Sequence, residues 1–155
     1  MEALVRPLAW SEWPKSAQNI FQVMRSETGE KLVLKQNIFI KKILPASILR
    51  RLTKKEIAAY SKPYIKPGED RRPMLTWPRE IPLDGEPSDI AAIASSYSSW
   101  LKTCPVPKLF INAEPGSILV GAQREFCRSW LNQKEVTVRG KHFIQEDSPD
   151  KIAQS

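Results

Sequence analysis

The stretch VPKLFINAEPG, residues 106–116, decides the fold. A short apolar run stops at a Pro-Gly turn, the pattern of a strand buried on both faces of a parallel sheet. Downstream, KEVTVRG (134–140) reads as a second strand, with SILVGAQREFCRSW (117–130) as the helix between them. Ser148 then caps a last helix in SPDKIAQS. Residues 104–155 therefore read as β-α-β-α. Two parallel strands do not make an independent sheet, because such sheets need more strands and cover on both faces. The chain is expected to be part of a larger α/β unit.

Working back toward the N-terminus, the pattern turns helical. Residues 16–25 place Ile20, Phe21 and Met24 on one face. Residues 30–44 read as one helix, with Leu32, Val33, Asn37, Phe39, Ile40 and Ile43 on its apolar side and Pro45 as its stop. In LTKKEIAAY, Thr53 and Glu56 form a capping box. RRPMLTWPREIP is broken by prolines and is loop or short helix. Pro87 or Ser88 opens a helix with Ile90, Ile93, Ala94, Tyr97 and Leu101 as its stripe, and SSYSSW within it reads as surface. Trp10, Trp13 and Trp77 lie in proline-flanked stretches that line a cavity or seal a loop; Trp100 and Trp130 read as core.

Composition narrows the classes. The 155 residues are 41% hydrophobic and 26% charged, an ordinary globular mixture for one domain or half of a larger one. No apolar run approaches the ~20 residues of a membrane span. MEALVRPLAW lacks the basic and then apolar order of a signal peptide. Cys104 and Cys127 sit outside any CxxC and read as reduced thiols of a cytoplasmic protein. The net charge of +7 is spread out, densest at Lys41, Lys42, Arg50, Arg51, Lys54 and Lys55. Ile and Leu, not aromatics, interleave these residues, so a solvated helix face is expected rather than a nucleic-acid surface.

His142 is the one histidine. It follows a predicted strand, in the kind of loop where open α/β sheets place their sites. Lone histidines are more often structural than catalytic. Glu2 and Glu114 are candidate partners, whereas Glu146 and Asp147 read as first-turn residues favoured by the helix dipole. No G-x-S-x-G elbow, or equivalent with Asp or Cys at its centre, supplies a nucleophile. No P-loop, G-x-G-x-x-G or HExxH is present, so no cofactor is expected, and one His with two distant Cys makes no metal site.

The segments MEALVRPLAWSEWP, QNIFIKKILP, RRPMLTWPREIPLDGEP, VPKLFINAEPG and HFIQEDSPDKIA, in this order, resemble the C-terminal half of the haloalkane dehalogenases. These are α/β-hydrolases that cleave carbon–halogen bonds with water. The resemblance covers essentially the whole chain. It implies a partial α/β-hydrolase fold: residues 1–9 as the end of strand six, 10–82 as a helical cap, and 83–155 as the last two parallel strands and their helices. In that family an Asp displaces halide to form an alkyl-enzyme ester, which a His-activated water hydrolyses. By motif, His142 matches the base and Glu2 its acid, with Glu114 as second choice. Trp13, Phe21, Phe39, Ile43, Trp77, Pro78, Ile81, Ser117, Ile118 and Phe143 match positions that shape the substrate cavity. The Asp nucleophile, a neighbouring Trp, the halide-binding Asn and the oxyanion hole match no residue here. They belong to the N-terminal half, which becomes the expected partner, and the chain alone is expected to be inactive. The implied substrate is small, apolar and halogenated, with no nucleic-acid or membrane partner. The coelenterate luciferases share the scaffold and similar RRP…WPREIPL segments, so a luciferase-like oxygenase is the alternative; a non-enzymatic module using the helical region as an apolar groove is another.

Overall fold

The computed structural model describes residues 1–155. Two compact units divide the chain: Lys15–Ile81, and Met1–Pro14 together with Pro82–Ser155. No helix is long and apolar enough to cross a membrane.

The Lys15–Ile81 unit is helical. Helix α1 (Lys15–Arg25) buries Met24. A short α2 (Glu27–Glu30) begins directly beneath it. Gly29 permits that approach, since a Cβ there would stand 2.4 Å from the Met24 carbonyl oxygen. The single helix expected over 30–44 is broken. Two wide π-type turns, Lys31–Lys35 and Phe39–Ile43, flank Asn37, which takes a left-handed φ of 55°. Asn tolerates that conformation better than most residues, and its buried Nδ2 donates to the Tyr64 carbonyl at 3.3 Å. The second turn runs into α3 (Leu44–Ala46). Helix α4 (Lys54–Ser61) opens on the expected box: the Glu56 N–H donates to Thr53 Oγ1 at 3.2 Å, and the Thr53 N–H donates to Glu56 at 2.7 Å. Arg50 and these Thr53 donors pull the Glu56 carboxyl down to about 2. The proline-broken RRPMLTWPREIP forms the short α5 (Pro73–Arg79), which buries Met74, Leu75 and Pro78 but leaves Trp77 63% exposed. Trp77 thus seals nothing within this unit.

Arg71 ties the unit together. It is buried, and its guanidinium donates to the carbonyls of Leu34, Lys35, Tyr64 and Ile65 at 2.8–3.0 Å. Leu34 and Lys35 close the first wide turn, where the end carbonyls and the negative end of the helix dipole favour a cation; the Leu34 carbonyl also accepts the Gly68 N–H at 3.1 Å.

The other unit carries α6 (Ser88–Thr103) and then the expected parallel pair, β1 (Lys108–Pro115) and β2 (Gln133–Gly140), in register from Lys108↔Gln133 to Pro115↔Gly140. Helix α7 (Ala122–Arg128) makes the crossover. It is shorter than expected, because residues 116–121 form a loop that is used elsewhere. Strand alternation separates two cores. Phe110 packs with Val5, Leu119, Cys127, Phe126 and Trp130, while Ala113 packs with Val138, Ile144, Ile111, Val136 and Ile152. The short α8 (Ile144–Asp147) and α9 (Pro149–Ala153) contribute Ile144 and Ile152. Burial pushes the Cys127 thiol up to about 12, so it is inert near neutral pH.

Three further expectations fail here. Ile93 and Trp100 are 59% and 56% exposed, because they lie about a quarter of a turn off the inward stripe. Ser98 in SSYSSW is buried rather than surface. Ser148 does not cap α9; its hydroxyl donates to the Arg139 carbonyl at 2.7 Å.

Arg71→Leu removes the guanidinium from four carbonyls at once, of which Tyr64 keeps Asn37 Nδ2 and Leu34 keeps the Gly68 N–H. It is expected to cost about 3 kcal/mol or more of stability, read as a fall in the urea midpoint. An unchanged midpoint would show that water replaces the guanidinium without loss.

Candidate active site

Adjacent parallel strands end at one edge of the sheet, so the loops that follow them meet. The Pro115↔Gly140 pairing closes the ladder, and the Gly116 N–H donates to the Gly140 carbonyl at 3.0 Å beyond it. His142 follows β2 by two residues, and the loop 116–121 follows β1. The N-terminal end of the chain meets both. The Glu2 N–H donates to the His142 carbonyl at 2.9 Å.

The Glu2 side chain is only 2% exposed, yet its carboxylate is well served. Oε1 accepts the N–H groups of Ser117 at 2.8 Å and Leu119 at 3.2 Å, and Oε2 accepts that of Ile118 at 2.7 Å. Oε2 also lies 3.4 Å from His142 Nδ1. That contact is of ion-pair length and is not directed as a hydrogen bond, so Nδ1 is buried without one. Contacts of this kind are often long in a resting site and tighten when substrate binds. Burial alone would raise the Glu2 carboxyl. The His142 side chain, followed by the Ser117 and Ile118 N–H groups, outweighs it and holds the group below its ordinary value.

His142 is 26% exposed, and because Nδ1 is covered, that exposure falls on the rest of the ring. Phe143 stands edge-on to it, with ring centroids 4.7 Å apart. The turn carrying His142 is fixed by the Lys141 N–H, which donates to Asp147 at 3.1 Å. The arrangement is a half-open imidazole with one nitrogen turned to a buried, ionised carboxylate. It can take up a proton on its open side and stabilise the resulting charge.

Glu114 lies elsewhere. Its side chain is 67% exposed, and its nearest charged partner is Arg124 at 3.8 Å. Of the expected cavity residues, Ser117 and Ile118 present backbone N–H groups to Glu2, Phe143 lies against His142, and Trp13 is buried in the same unit. Phe21, Phe39, Ile43, Trp77, Pro78 and Ile81 belong to the Lys15–Ile81 unit. Two surface grooves of that unit measure about 500 and 400 Å³. Arg25, Ser26, Glu27, Glu30 and Arg79 line the first, and Lys41, Arg50 and Arg51 stand among the apolar walls of the second, so neither contains an expected cavity residue. Sequence reasoning missed the carboxylate-binding loop, having read 117–130 as helix throughout. Its one signal was the Pro115-Gly116 turn.

No family model matches the chain. It is 53% identical over 152 residues to a haloalkane dehalogenase of Sphingobium indicum, covering 98% of this chain and 51% of that protein. Against a haloalkane dehalogenase of Mycolicibacterium smegmatis, identity is 44%, covering 100% of this chain and 50% of that protein. A coelenterazine h 2-monooxygenase of Renilla reniformis is 42% identical, over 93% of this chain and 46% of its own length. The crystal structure of the haloalkane dehalogenase DbeA from Bradyrhizobium elkani superimposes with a TM-score of 0.90 at 33% identity, covering 97% of this chain and 53% of that one. The chain spans about half the length of the curated relatives it matches.

Because the Glu2 carboxyl titrates lower in the folded chain than its ordinary 4.5, unfolding takes up a proton in that interval. Its contribution is fully present above about 4.5 and is lost as pH falls through the depressed value. Glu2→Gln is expected to lose about 2 kcal/mol at neutral pH and to flatten the acid limb of stability against pH. Denaturant midpoints measured from about pH 7 to 3 check both; a parallel acid limb would refute the assignment.

Proposed function

We propose that this chain, a homologue of the haloalkane dehalogenases along nearly its whole length and a carrier of part of their α/β-hydrolase fold, supplies the water-activating half of a carbon–halogen hydrolase. The observation that carries the reading is the Glu2–His142 pair: a buried carboxylate 3.4 Å from Nδ1 of the sole histidine, whose side chain is 26% exposed. His142 is the base and Glu2 its acid. The nucleophile, an Asp, lies on the half of the relatives that this chain does not match. Attack of that carboxylate on the carbon expels halide and leaves an alkyl-enzyme ester. Water then adds to the ester carbonyl while His142 Nε2 takes its proton. Glu2 fixes the Nδ1–H tautomer and stabilises the imidazolium. Collapse of the intermediate releases the alcohol and restores the Asp.

The substrate is a small apolar haloalkane, and Ile118 and Phe143, beside the pair, shape its site. The Lys15–Ile81 unit takes the role of the helical cap. The chain acts in the cytoplasm, consistent with two unbridged cysteines. Without the nucleophile-bearing half, the pair has no ester to hydrolyse. A second reading, a luciferase-like oxygenase, is favoured by the 42% identity to the Renilla monooxygenase.

The test places this chain in the Sphingobium dehalogenase in exchange for the 152 residues it matches. The chimera is expected to release halide from a bromoalkane over many turnovers. With His142→Ala it should release about one equivalent and gain the mass of the alkyl group. Continued turnover without His142, or no adduct, would refute the base assignment; light from coelenterazine without halide release would favour the second reading.

A further inference from the structure

We propose that residues 116–119 form a built carboxylate receptor, which takes Glu2 from the chain's own N-terminal end and takes a small free carboxylate when the Glu2 side chain is removed. The proposal rests on the pairing of Glu2 with His142 proposed above.

The receptor consists of backbone. Successive N–H groups of Ser117, Ile118 and Leu119 converge on both oxygens of one carboxylate at 2.7–3.2 Å. Concavities made by successive N–H groups bind anions because their dipoles are fixed before the anion arrives. Gly116 shapes the entrance. Its φ of 75° is the left-handed conformation that glycine adopts freely, and a Cβ there would stand 2.9 Å from Glu2 Oε1 and 3.1 Å from the Ala113 carbonyl. A side chain at 116 would therefore push the carboxylate out of its N–H groups.

The loop is held by contacts that do not involve Glu2. Gly116 N–H donates to the Gly140 carbonyl at 3.0 Å. Arg124 Nη2 donates to the Ala113 carbonyl at 2.8 Å and the Pro115 carbonyl at 3.1 Å, gripping the turn from behind. These contacts hold the turn at 113–116, and the N–H groups that follow it are expected to keep their aim when the carboxylate is gone. Glu2→Ala deletes Cγ and the carboxylate, a group the size of acetate. What remains is a cavity with three N–H donors and His142 Nδ1 on its wall. Gly116 and Arg124 are positioning residues: they act through the carboxylate on His142.

The single histidine makes the test direct. In the full chain carrying ¹⁵N-labelled histidine, ring ¹⁵N shifts near pH 8 report which nitrogen holds the proton. Wild type is expected to hold it on Nδ1, facing Glu2. Glu2→Ala should lower the Nδ1–H to Nε2–H ratio by about tenfold or more, the effect of removing a buried carboxylate charge 3.4 Å from Nδ1. Acetate should restore the ratio and raise the thermal midpoint of the variant; equal chloride and the bulkier pivalate should do neither. Gly116→Ala should lower the ratio with Glu2 still present, but the acetate titration needs no change at Gly116 and decides alone. If acetate acts no better than chloride, the receptor is refuted while the pairing stands. If Glu2→Ala leaves the ratio unchanged, the pairing is wrong and the receptor with it.

Discussion

The unit that carries the sheet depends on one buried carboxylate. A carboxylate moved out of water loses several kcal/mol of solvation unless it is paired and hydrogen-bonded. Glu2 recovers that loss from three N–H groups more than a hundred residues away in sequence, and from His142. The long separation makes the interaction an organiser. It fastens the first residues of the chain to the loop after β1 and to the loop after β2. The Lys15–Ile81 unit meets the mirror-image problem with Arg71, whose buried cation faces four carbonyls rather than an acid. In both units backbone dipoles face the buried ion, joined at Glu2 by the His142 side chain.

The parallel register explains why the site lies where it does. Strands that run side by side in the same direction deliver their following loops to the same edge. The last rung, Pro115↔Gly140, sets the two loops at hydrogen-bonding distance. One loop then needs only a left-handed glycine to turn its N–H groups inward, and the other only two residues to present a histidine. The loops thereby bring the buried Glu2 carboxylate within 3.4 Å of Nδ1 of a histidine that is partly exposed elsewhere.

Much of this was legible in the sequence. VPKLFINAEPG and KEVTVRG announced two parallel strands through apolar runs that end at Gly, and Thr53 with Glu56 announced a helix start, because these signals are local. His142 was legible as a candidate by its place after a strand, and Glu2 through family resemblance alone, since nothing near Glu2 marks it as buried. The loop 116–119 was not legible. Apolar Ile118, Leu119 and Val120 imitate a helical face, while their true role lies in N–H groups that carry no sequence signature. Asn37 was equally opaque: a polar residue inside an apolar period reads as noise until its amide is seen to reach Tyr64. Trp100 misled because a large aromatic near a stripe is read as core, whereas about a quarter of a turn decides.

The most direct test of this account is amide hydrogen exchange at Ser117, Ile118 and Leu119 in the chain at neutral pH. These residues lie outside any helix or strand, so ordinary loop behaviour would let them exchange quickly. If the buried Glu2 carboxylate holds all three N–H groups, they exchange slowly and at a common rate, comparable to amides of β1. Fast exchange at all three would contradict it, and would leave the buried Glu2 carboxylate without its N–H donors.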